Sequence, residues 1–157
     1  AAGDIRIKTT TGGIRMEDVT AETVDLSVST GKITVSDVTC KKDLRINVNT
    51  GDTMLTNITC ANLFSDGTTG DLILKNVIAS EKFSIQRDTG DVTFEGCDAR
   101  EIFVKTDTGK ITGTLLSEKD FSACRSDTGS IRVPATGSGG KCELITDTGN
   151  IKIEILK

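Results

Sequence analysis

Apolar and polar residues alternate along this chain in short runs. Val24, Leu26 and Val28 form one run, Leu44, Ile46 and Val48 another, and Phe83 with Ile85 and Ile102 with Val104 continue the series. A period of two sends alternate side chains to opposite faces of a strand. No segment sustains the i, i+3, i+4 spacing of a helix, and the Thr, Val and Ile that fill the runs favour strands. Each run leads into a Thr-Gly pair, at Thr11-Gly12, Thr30-Gly31, Thr50-Gly51, Thr69-Gly70, Thr89-Gly90, Thr108-Gly109, Thr128-Gly129 and Thr148-Gly149. The interval from each glycine to the next never varies by more than one position, so the chain is a repeat with a period of roughly 20 residues.

A second apolar set follows each glycine. Two positions on stand Ile14, Ile33, Thr53, Leu72, Val92, Ile111, Ile131 and Ile151. Four positions on stand Met16, Val35, Leu55, Leu74, Phe94, Gly113, Val133 and Ile153, and seven on stand Val19, Val38, Ile58, Val77, Cys97 and Leu116. Two short strands cannot bury a core alone, but identical units stacked on one another can. Columns that match like with like require parallel, in-register stacking. The predicted fold is all-β, a single-stranded right-handed parallel β-helix (β-solenoid) of about eight coils, one for each Thr-Gly pair. One domain covers residues 1–157, with coils beginning near Gly12, Gly31, Gly51, Gly70, Gly90, Gly109, Gly129 and Gly149. Pentapeptide solenoids have coils of similar length, but an apolar residue at every fifth position does not continue beyond Ala61-Asn62-Leu63-Phe64-Ser65.

Composition narrows the chemistry. The 157 residues carry 19 basic and 23 acidic side chains, a net charge of −4, which disfavours nucleic acid or an anionic membrane surface as partner. His, Trp and Tyr are absent, which removes the commonest general base and most of what stacks on sugars or bases. No apolar run is long enough to insert in a membrane. Ala1-Ala2-Gly3-Asp4-Ile5 lacks the basic and apolar regions of a signal peptide, so any export signal or anchor is expected upstream.

Asp-Thr-Gly begins at Asp88, Asp107, Asp127 and Asp147. Two such tripeptides make an aspartic protease dyad, but recurrence at coil spacing marks a corner: an Asx-turn in which the carboxylate accepts the glycine amide. Stacked carboxylates repel, and Asp52, Asp71 and Asp91 add a second acidic column beside the first. No cofactor is expected, yet Asp88, Asp91, Asp107, Asp127 and Asp147 stand as candidate Ca2+ ligands, since calcium takes oxygen donors. The Gly-Gly-x-Gly-x-Asp calcium repeat does not occur, and a single Thr column at a turn lacks the flat two-column surface of ice binding. Cys40 and Cys60 share a small-residue column with Ala21, Ala79 and Ala99, within disulfide reach on adjacent coils; Cys97, Cys124 and Cys142 also look inward. Arg87 interrupts an inward column, with Ser65 and Gly67 in the coil before it, so the stack is expected to open to solvent there. Gly137-Ser138-Gly139-Gly140 reads as a flexible loop. Ile151 to Lys157 reads as an open terminal edge, blunted by its Lys and Glu.

The Asp-Thr-Gly-[Asp/Lys/Asn]-[Val/Ile] corner, as in Asp88-Thr89-Gly90-Asp91-Val92 and Asp107-Thr108-Gly109-Lys110-Ile111, resembles an uncharacterised family of bacterial β-solenoid domains regarded as adhesins. The resemblance runs from about Gly3 to Lys157. It implies a right-handed β-helix outside the cell membrane, at the envelope or surface, and supplies no catalytic residues. The expected function is a non-enzymatic surface scaffold, a monomer or weak end-to-end oligomer, whose partner is a protein or glycan at the cell surface. Two other readings stand behind it: a regulatory or structural envelope module contacting its own cell's proteins, and a polysaccharide-acting enzyme. The last needs long loops around a cleft, and coils of such even length leave no room for them.

Overall fold

The computed structural model describes residues 2–116, 120, 124–133 and 140–155. Twelve strands follow in chain order: β1 Ala2–Thr11, β2 Ile14–Thr30, β3 Ile33–Cys40, β4 Asp43–Thr50, β5 Thr53–Thr69, β6 Leu72–Thr89, β7 Val92–Thr108, β8 Ile111–Leu115, β9 Arg125–Thr128, β10 Ile131–Arg132, β11 Cys142–Thr148 and β12 Ile151–Ile155. Every pairing among them is parallel, and they stack as a β-solenoid of about seven turns, since eight Thr-Gly corners bound seven intervals. The predicted columns are the core: Ile33, Val35, Leu55, Leu72, Leu74, Val92 and Ile111 are fully buried from one ladder, and Val24, Leu26, Leu44, Val48, Leu63 and Val104 from the other. Phe83 and Phe94 stack in the interior with ring centroids 5.9 Å apart, and Gly113 on the next rung leaves Phe94 its room.

Two of the corners in the stack are set by positive-φ backbone. At the first, Gly31, Gly51, Gly70, Gly90, Gly109, Gly149 and Gly129 stack with φ between 134° and 153°. A Cβ at Gly90 would lie 1.9 Å from the Gly70 carbonyl oxygen, so both the conformation and the packing exclude a side chain. The second corner falls six residues later, where Asp18, Asp37, Asn57, Asn76 and Gly96 all adopt φ of 53–60°. Asp and Asn tolerate that left-handed region because their short polar side chains bond locally. Here they bond along the stack: Asn57 Nδ2 donates to Asp37 Oδ1 at 3.1 Å, and Asn76 Nδ2 to Asn57 Oδ1 at 3.2 Å.

The one-residue alternation in coil length has a local cause. After the small-residue column Ala21, Cys40, Cys60, Ala79, Ala99, the turn holds Ala61 alone in one coil but Ser80 and Glu81 in the next. The register shifts there by one residue and recovers at Asn62↔Lys82. A second irregularity, between Phe94 and Cys97, moves Leu115 into the column expected for Leu116. Leu115 is buried and Leu116 is 46% exposed.

The stack departs from chain order near its end. β11 pairs with β7 on one side and β9 on the other; β12 lies between β8 and β10. The last coil in sequence therefore sits inside the coil that precedes it. This corrects the expectation of an open edge at Ile151 to Lys157: Ile151 and Ile153 are 1% and 3% exposed between two rungs, while Leu156 and Lys157 lie outside the described residues. The outer rung falls to β9 and β10, short strands that carry Arg125 and Arg132, the kind of polar edge that resists further pairing. Residues 137–139 of the expected flexible loop also lie outside the described residues.

Candidate functional site

The second strand of each coil turns alternate residues outward and builds one continuous ladder face. Register aligns Arg45, Phe64, Ser84, Phe103 and Glu143 in one outward column, and Asn47, Asp66, Gln86, Lys105, Ile145 and Arg125 in the next. Phe64 and Phe103 are half-buried and two rungs apart, about 10 Å at the usual strand spacing. The Arg45 guanidinium lies 5.3 Å from the centre of the Phe64 ring and the Lys82 ammonium 5.8 Å from it. Asp43 steadies this arrangement, taking a 2.9 Å hydrogen bond from Asn62 Nδ2 and lying 3.7 Å from Arg45. Three depressions run along the face. One of about 430 Å³ opens beside Arg45 and Phe64, one of about 290 Å³ beside Asp66, Gln86 and Lys105, and one of about 360 Å³ beside Ser84 and Phe103. The face thus presents aromatic edges, amides and charges of both signs along the stack.

Beneath the middle depression the core is polar. Arg87 is 2% exposed, so the column stays closed where the sequence suggested that it opens. Its guanidinium fills the space that Gly67 leaves; a Cβ on Gly67 would lie 2.4 Å from Arg87 Nη1. Nη1 donates to the Gly70 carbonyl and Nη2 to Thr53 Oγ1, both at 3.3 Å. Thr53 replaces the Ile, Leu or Val of the other coils, so Gly67, Arg87 and Thr53 form one set spread over two adjacent coils and three successive rungs of the Thr-Gly corner. Arg87 Nε and Ser65 Oγ are buried with no hydrogen-bond partner. Burial pushes the Arg87 guanidinium below its usual range, opposed by the carboxylates of Asp52, Asp71 and Asp66.

The Asp-Thr-Gly carboxylates are brought together, but in the order Asp88, Asp107, Asp147, Asp127, and all four are exposed. The expected Asx-turn is replaced by an inter-coil bond: the Gly90, Gly109 and Gly149 amides donate to Thr108, Thr148 and Thr128 carbonyls at 2.9 Å. The second acidic column serves the chain itself. Asp52 accepts the Asp71 amide, Asp71 that of Asp91, and Asp91 that of Lys110, at 2.8–3.0 Å. Among the described residues no three Asp, Glu or Cys side chains converge to hold a metal. Cys40 and Cys60 are buried thiols on adjacent rungs, and Cys97, Cys124 and Cys142 likewise form no disulfide. Burial raises Cys40 to about 11 and Cys60 to about 12, the latter also through Cys40 and Asp43. Sequence reasoning missed the outward second-strand face and the second corner. The corner had a signal, Asp or Asn six residues after the glycine in four coils, whereas the face follows from register that the outward residues do not announce.

Among the described residues no helix is long and apolar enough to cross a membrane. No curated protein and no solved structure matches this chain. The family profile described as Toastrack DUF4097 matches residues 1–79 and again residues 41–157, an overlap that a repeat with equivalent phases produces. The two matches together span the whole chain, and the chain belongs to the Toastrack DUF4097 family.

Proposed function

We propose that this chain is a non-enzymatic interaction scaffold of the bacterial cell envelope, displaying its second-strand face to an extended polar partner, a protein or glycan at the cell surface. The observation that carries the reading is the unbroken outward face from Arg45 to Glu143, with two half-buried aromatics and amides spaced along the stack. Solenoids commonly bind through such extended faces. The near-constant coil length through most of the stack gives this face its regularity and leaves little chain for a catalytic cleft. The envelope location and the surface role rest on the resemblance to solenoids regarded as adhesins.

The test is a binding assay with the labelled domain, one arm offering host glycans and matrix proteins, the other envelope fractions of the producing cell. Saturable binding to the first arm, lost in a Phe64→Ala/Phe103→Ala variant that still folds, supports the surface-scaffold reading. Binding confined to the second arm replaces it with a regulatory or structural envelope module. Binding to neither, or turnover of a polysaccharide, refutes it.

A further inference from the structure

We propose that the slot between residues 101–115 and residues 125–132 is an exchange site that accepts residues 142–155 of a second copy of this chain. The proposal is independent of the ligand face. It starts from coil order. Residues 125–132 precede 142–155 in the chain but lie beyond them in the stack. As the chain is made, the ladder edge open to residues 125–132 is that of β7 and β8, because the intervening coil does not yet exist. The native order is reached only if that position is vacated or held open for a segment made later.

The slot recognises the repeat and not the chain that carries it. On one flank the Gly109 amide donates to Thr148 O and on the other the Gly149 amide donates to Thr128 O, both at 2.9 Å. Thr146 Oγ1 donates to Gly109 O at 3.0 Å, and Ser126 Oγ to Gly149 O at 2.8 Å, repeating the bond that Thr106 Oγ1 makes to Gly90 O at 3.2 Å. Cys142, Leu144, Ile151 and Ile153 complete the core columns, each 3% exposed or less. The same segment of a second copy satisfies every one of these contacts. Exchange of an identical element is a low-cost route to dimers, and the balance between own and foreign insert is set by concentration and the connecting segment.

Lys105 and Ile145 face outward as direct partners on β7 and β11, with Cα atoms about 4.8 Å apart, within disulfide reach. Full-length chains carrying Lys105→Cys are mixed with chains carrying Ile145→Cys, oxidised mildly over a concentration series, and the linkages mapped by mass spectrometry. The expected result is a 105–145 bond between chains whose share rises severalfold over a tenfold increase in concentration. The double variant, closed within one chain at high dilution before mixing, is expected to lose the exchange. If the double variant closes readily and the mixture gives no interchain 105–145 bond at any concentration, the proposal is overturned. A double variant that fails to close overturns it as well, by removing the coil order on which it stands.

Discussion

Replacing Arg87 by Met is expected to stabilise the protein. A desolvated ion costs several kcal/mol in a protein interior after relaxation. Against this stand two hydrogen bonds of 3.3 Å, beyond the usual length and so at the weak end of about 1.5–3 kcal/mol for a charged donor. Attraction to Asp52, Asp71 and Asp66 is weakened because all three carboxylates are exposed. The unpartnered Nε adds a further cost of about 1–3 kcal/mol. Met fills the stem's volume and adapts to the space over Gly67. The balance favours Arg87→Met by about 1–2 kcal/mol, within the range seen when buried charges give way to apolar residues. Urea unfolding with unchanged m-value reads this as a higher midpoint. Gly67→Ala in the native background overlaps the guanidinium and also the Val48 carbonyl oxygen, 2.9 Å from the added Cβ, and costs about 1–3 kcal/mol, of which the Val48 part persists without Arg87. In the Arg87→Met background the rigid donor is gone, so the two changes couple by about 1 kcal/mol or more. A loss above about 1 kcal/mol for Arg87→Met would refute the reasoning and show that the acidic column outweighs desolvation.

Three further outcomes follow from the corners and the core. Gly90→Ala should destabilise by about 3 kcal/mol or more, from strain at φ 148° plus overlap with the Gly70 carbonyl, whereas Gly12→Ala, with nothing within 4 Å, should show only the strain of about 1–3 kcal/mol; melting temperatures separate them. Cys40 and Cys60 keep their protons in the fold up to about 11 and about 12, while the unfolded chain loses them from about 9, so their contribution is intact below pH 9 and falls as pH rises through that window. Urea midpoints from pH 8 to 11 should decline, and less steeply in Cys60→Ala, which the alanines of the same column accommodate. Because the Asp91 carboxylate already caps the next coil's amide, millimolar calcium or chelator should leave the melting curve in place; a rise of several degrees with calcium would count against that role.

The core was legible because burial imposes period two within a coil and near-identity between coils, so Leu55, Leu74 and Ile111 declare themselves by position alone. What the sequence did not disclose has a common cause. Asp88 could cap its own glycine or leave that amide to the neighbouring coil, and only the stack decides between them. Leu115 and Leu116 are adjacent apolar residues, and a bulge one rung earlier chooses which is buried. Arg87 looked like an opening because its compensation is split between Gly67, Gly70 and Thr53, none of which is its sequence neighbour.

A stack of near-identical coils has an addressing problem: any coil fits beside any other, so nothing generic tells a coil which place is its own. The set of Gly67, Arg87 and Thr53 works as an address. The guanidinium fits only where the adjacent rung lacks a side chain and the rung beyond offers a hydroxyl in place of an apolar group, so the coils beginning at Gly51 and Gly70 can be assembled as neighbours in a single order. The C-terminal coils have no such label. In the same column they carry Thr106, Thr146 and Ser126, each making the same hydroxyl bond to a corner carbonyl, and they are read as interchangeable. The place where spatial order parts from chain order is also the place where the coils are unlabelled. A designer wishing to fix that order would move the whole label: a glycine at 106, an arginine at 146 and a threonine at 92 would mark these coils as neighbours and leave the coil of residues 125–132 with its one outer position.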